Sequence, residues 1–194
     1  MKTESPPETP IKKLQASFQR LRGNMAAHPF LRGLSPAQIA ALSDFAMDSQ
    51  LSAGKLIFRE GEIANRFYLI LKGKVALESR GENGTVTLVQ TLGAGDVLGW
   101  SWLFPPYTWH FDARTLEATE AIFFYGTWLR DHCEQDPVFG YELMKQVAGV
   151  VIDRLQAERG RLLAVSSVTH NLETAAGFLV SHNRAVTKDG KLKI

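Results

Sequence analysis

A single cysteine, Cys133, is all the thiol this chain has in 194 residues. One thiol excludes an intrachain disulfide framework and a zinc or iron–sulfur site built from cysteines. A reducing, cytoplasmic setting is therefore expected. Long apolar runs are absent as well, so no segment reads as membrane-spanning and no membrane partner is expected. Charge of one sign is not in excess: 22 Lys and Arg against 20 Asp and Glu leave a net +2. That balance points to neither a nucleic acid nor an acidic lipid surface. The first ten residues are polar and proline-rich, lack the apolar centre of a signal peptide, and read as disordered. The histidines (His28, His110, His132, His170 and His182) stand apart, without the paired spacing that a metal needs. The sequence shows no nucleophile–base constellation either, so no metal and no enzymatic activity are expected.

What is present falls into three textures. Ile11, Leu14, Phe18 and Leu21 recur at helical spacing, which predicts a short amphipathic helix ending near Gly23. Ser35 followed by Pro36 predicts the start of a second helix, with Ile39, Leu42 and Phe45 as its buried face. From Ser49 to Phe124 short apolar runs alternate with glycine. Leu56–Phe58, Phe67–Leu71, Val75–Leu77, Val86–Val89 and Ala121–Phe124 are strand candidates. Gly54, Gly61 and Gly73 read as turns and argue for fold rather than ligand. From Pro137 the period is helical again. Leu143, Val147, Val150, Val151, Leu155, Leu162 and Leu163 predict a long helix to about Ala164. The fold class read from this order is α+β: an antiparallel β-roll, jelly-roll-like, with N-terminal helices and a long C-terminal helix. The expected divisions are 1–27, a disordered start and short helix; 28–164, the roll with its long helix; and 165–194, a short helix over Asn171–Val180 and a basic tail.

Four passages carry a resemblance. Leu56-Ile57-Phe58-Arg59-Glu60-Gly61-Glu62, Phe67-Tyr68-Leu69-Ile70-Leu71-Lys72-Gly73-Lys74-Val75, Gly93-Ala94-Gly95-Asp96-Val97-Leu98-Gly99 and Ala113-Arg114-Thr115-Leu116-Glu117-Ala118-Thr119-Glu120 follow one another in order. Together they resemble the β-roll of the cyclic nucleotide-binding domain family, as found in catabolite-activator-type regulators. The likeness covers roughly Phe30 to Ala164. It implies a phosphate-binding cassette opening at Gly99, with cyclic AMP or cyclic GMP as the ligand class and a role in signal transduction.

Two residues depart from that pattern. The family places a Glu after the cassette glycine to hold the ribose hydroxyl, and here Trp100 stands there. It places an Arg about ten residues later to pair with the cyclic phosphate, and here Trp109 stands there. An indole accepts no hydrogen bond and donates only one, uncharged. Hydrogen bonds to charged groups contribute about 1.5–3 kcal/mol each, so losing both anchors weakens binding by roughly two to four powers of ten. Backbone N–H groups after Gly99 still favour an anion, and Ser101 adds a hydroxyl. His110, one residue on, offers a partial cation. Trp100, Trp102 and Trp109 either stack on a planar ligand or fill the recess as core. The candidate ligand-binding residues are thus Gly99, Trp100, Ser101, Trp102, Trp109 and His110.

In the regulators that the chain resembles, the helix after the roll pairs with its copy. Val147, Val150, Val151 and Leu155 make the expected seam of a homodimer through the helix 143–163, flanked by Arg154, Glu158, Arg159 and Arg161. Those regulators then carry a winged helix-turn-helix. Thirty residues follow Ala164, and their Lys188, Lys191 and Lys193 read as a solvated cluster, so direct DNA binding is not expected. Two functions stay open: a sensor in which the cassette couples a ligand to the long helix, and a ligand-free dimeric platform.

Overall fold

The computed structural model describes residues 10–188, with side chains at 11, 12 and 14–164. The expected disorder at the extreme N-terminus and most of the basic tail, including Lys191 and Lys193, lie outside the described residues. The chain divides into two units, Met1–Val147 and Ala148–Ile194.

The first unit opens with α1, Pro10–Ala27. It runs past Gly23 because Met25 gives the apolar stripe another turn. Only the second half of that stripe is used: Leu21 and Met25 are buried, while Ile11, Leu14 and Phe18 are exposed. A 3-10 turn, Pro29–Leu31, leads to α2, Pro36–Ser43. The Ser35 hydroxyl accepts from the Gln38 N–H, and the Gln38 side chain accepts from the Ser35 N–H, a reciprocal capping box.

Eight strands follow: β1 Met47–Leu51, β2 Leu56–Phe58, β3 Arg66–Lys72, β4 Val75–Arg80, β5 Val86–Leu92, β6 Val97–Leu98, β7 Asp112–Thr115 and β8 Thr119–Tyr125. They form two four-stranded antiparallel sheets, ordered β1-β8-β3-β6 and β2-β7-β4-β5. Successive strands switch sheets repeatedly, which makes the β-roll read from the sequence. One face of the first sheet supplies Phe67, Leu69, Ile122 and Phe124, all nearly inaccessible. Phe67 meets Phe30 and the edge of Trp102, so this face carries the N-terminal segment and the cassette helix.

The turn between β3 and β4 requires glycine. Gly73 has φ +97°, and a Cβ there would come within 2.7 Å of the Ala118 carbonyl oxygen. The second sheet carries paired charges: Arg80 Nε lies 2.8 Å from Asp112 and Arg114 Nε lies 3.4 Å from Glu78. The Asp112 carboxylate is buried and also accepts from the Glu60 N–H at 2.8 Å. Burial pushes its pKa up, but the Glu60 N–H, Arg80 and Arg59 outweigh burial and hold it below the usual range.

After the roll come α3, Gly126–Gln135, and α4, Pro137–Lys188. Asp136 caps α4 by accepting from the N–H groups of Val138 and Phe139. Phe139, Leu143 and Val147 are buried within the first unit. In the second unit Val151, Ile152, Leu155, Leu162 and Leu163 are exposed. The long helix therefore continues well beyond Ala164, and Asn171–Val180 lies inside it rather than in a separate short helix. Among the described residues no helix is long and apolar enough to cross a membrane.

Candidate functional site

Strand β6 ends at Gly99, which sits in the left-handed region at φ +85° and opens the 3-10 turn Trp100–Leu103. No side chain caps that turn. A Cβ on Gly99 would meet the Arg66 carbonyl oxygen and the Trp109 ring, both at 2.9 Å. Strand β3 and the Trp109 indole therefore crowd this backbone from two directions.

Trp109 is 4% exposed. Its ring stacks on Phe58 with centroids 3.8 Å apart and planes 11° from parallel. Its backbone is fixed by the Gly61 turn: Trp109 N–H donates to the Glu62 carbonyl and its carbonyl accepts from Gly61 N–H. The indole thus occupies the space beside Gly99 as a packed core residue.

Trp102 is fully buried, with its Cβ and indole against Gly126 and its ring meeting Phe67 edge-on. Its indole N–H is buried and has no hydrogen-bond partner. Its carbonyl accepts from Arg130 of α3, whose guanidinium also lies 4.4 Å from the Tyr107 ring centroid. Helix α3 thereby clamps both arms of the cassette. Trp100 is half-buried. The Pro105–Pro106 bond between the two arms is cis.

Two candidates that lie nine residues apart in sequence meet in space. Ser101 Oγ lies 3.1 Å from His110 Nδ1. Ser101 is buried and His110 exposed, so the pair forms part of the cassette rim. Among the described residues no carboxylate bonds to the imidazole, so nothing orients it as the base of a catalytic triad. No three of His, Cys, Asp and Glu converge as metal ligands among the described residues.

The fold also brings up a residue that the sequence reading passed over. Arg66 on β3 has its carbonyl against Gly99 and its guanidinium carbon 5.1 Å from the Phe123 ring centroid and 5.9 Å from that of Tyr125. It lies 33 residues before the cassette glycine, and only strand pairing places it there.

Residues 49–136 match the family model described as the cyclic nucleotide-binding domain. The roll belongs to that family. A CRP-like cAMP-activated global transcriptional regulator of Mycobacterium tuberculosis is 27% identical over 124 residues, 64% of this chain and 55% of that protein. The chain thus spans little more than half the length of this curated relative. The crystal structure of a cyclic nucleotide-binding protein from Geobacter metallireducens superposes with TM-score 0.62 at 27% identity, over 72% of this chain and 98% of that one. A cyclic nucleotide-binding domain from Methylobacillus flagellatus shares the fold, with TM-score 0.65 at 15% identity over 76% and 83% of the two chains.

Proposed function

We propose that this cyclic nucleotide-binding domain is a regulatory module whose recess is occupied from within by Trp109. It works as a ligand-independent platform rather than as a receptor for cyclic AMP or cyclic GMP. One observation carries the reading: the indole packs between Phe58 and Gly99, against the backbone on which the family's cassette is built. The absent Glu and Arg anchors support it, since an indole at either place offers a phosphate no charge. Calorimetric titration of the wild-type chain with cyclic AMP and cyclic GMP tests it. No heat or thermal shift arising in the recess is expected up to millimolar ligand, and micromolar binding in the recess would overturn the reading.

The Ser101–His110 pair favours a second reading, a weak anion sensor that uses the hydroxyl, the imidazole and the amides after Gly99. Under it, Ser101→Ala and His110→Ala each abolish whatever binding the titration reveals.

The platform is a homodimer in this proposal. The seam differs from the one first expected, because Leu143 and Val147 are already buried within the first unit. Ala148, Val151, Leu155 and Leu162 recur at intervals of three, four and seven, and the last three remain exposed. Sedimentation of Leu155→Asp against wild type tests it: halved mass supports the dimer and unchanged mass defeats it. Output passes through protein contacts of the helix, with no DNA contact assigned to this chain's residues.

A further inference from the structure

Among the described residues Arg66 is a cation without a counter-charge. The other two arginines of the strands, Arg80 and Arg114, are paired with Asp112 and Glu78. Arg66 takes part in no ion pair among the described residues. Its surroundings are aromatic instead. Strand register sets Arg66 opposite Tyr125 and Tyr68 opposite Phe123, which puts all four side chains on one face of the sheet. The guanidinium lies over the rings of Phe123 and Tyr125, where ring faces hold a cation without neutralising it. The Tyr68 hydroxyl, and more weakly Tyr125, make it more basic than usual, against the opposing effect of burial. Its Nε is buried with no acceptor. The face remains open at its margin: Tyr125 is 42% exposed and Met47, opposite Phe123 on β1, is 43% exposed.

A guanidinium held over aromatic rings, on a face that Tyr125 leaves open at its margin, recognises an oxyanion carried on a flat body. The anion takes charge-assisted hydrogen bonds and the ring stacks beside it. The chemistry is that of a phosphate or carboxylate on an aromatic metabolite. We propose that Arg66, with Tyr125 and Phe123, is a binding site for a small planar organic anion. It adjoins the cassette through the Arg66 carbonyl but uses none of the cassette's own side chains. This goes beyond the platform reading, which concerns the space that Trp109 fills.

Matched anionic and neutral probes test it on the full chain at low ionic strength, where screening is least. AMP is compared with adenosine, and benzoate with benzamide. At least tenfold preference for one or both anions is expected, with AMP alone marking a phosphate site and benzoate alone a carboxylate site. Arg66→Gln is expected to remove the preference and Arg66→Lys to retain part of it. The Arg66 Nε–H resonance of the wild-type protein should shift on titration with the preferred anion, a readout that needs no variant. Equal affinity for charged and neutral probes, or a preference that survives Arg66→Gln, would overturn the proposal. Any heat from cyclic AMP is assigned by the same variant: heat lost in Arg66→Gln belongs to this face, and heat retained belongs to the recess and contradicts the platform reading instead.

Discussion

The turns at Gly73 and Gly99 have the same backbone requirement and opposite meanings. Both glycines are left-handed, and neither has room for a Cβ. At Gly73 the crowding atoms include the Ala118 carbonyl and the Thr119 backbone, so the glycine lets two strands approach. At Gly99 they are a strand carbonyl and an indole, so the space beside the glycine is filled by a side chain. A glycine that brings backbone to backbone reports on fold. A glycine that opens backbone to a recess reports on whatever occupies it, and here the occupant is covalently part of the chain.

The largest effect is expected where that occupant is removed. Trp109→Ala should cost about 3–5 kcal/mol in denaturant unfolding, the range for a buried Trp. A loss under 1 kcal/mol would mean that the indole is not packed as the comparison requires. Gly73→Ala should cost about 1–3 kcal/mol through the strained φ and the Ala118 contact. Arg80→Met should cost about 1–2 kcal/mol, less than a fully buried pair because Arg80 is half-exposed and Glu60 N–H still holds Asp112.

The smallest effect is a pH dependence outside both turns. His28 is buried, and burial pushes its pKa below the ordinary histidine range, against the opposing pull of the Ile70 carbonyl and Asp96. The folded chain therefore keeps it neutral while the unfolded chain takes up a proton. Stability is complete above about pH 6.5 and falls as pH drops from there toward the folded-state pKa. Thermal melts between pH 7.5 and 5 should show this slope, and His28→Gln should flatten it.

Much of the roll was legible because its signals are local. Apolar runs ended by glycine located β2, β3, β4, β5 and β8, and Ser35-Pro36 located the start of α2. Strand β1 was not legible, since Met47-Asp48-Ser49-Gln50-Leu51 is largely polar and becomes a strand only by pairing with β8. Helix α3 was hidden for a similar reason: its polar sequence is held by Trp128 stacking on Phe45 and by Leu129 in the core. At the site, the exchanged anchors were visible as residue types. Sequence left open whether the tryptophans stack on a guest or fill space, because that depends on Phe58 arriving from another strand. The Ser101–His110 contact and the position of Arg66 likewise depend on chain reversal and register, which residue spacing does not reveal.

Chemical complementation probes Trp109 as the occupant of its own recess. Titration of Trp109→Ala with free indole should give saturable heat and restore part of the lost melting temperature, while wild type gives neither. A variant that stays as stable as wild type and takes up no indole would mean that Trp109 does not fill the recess.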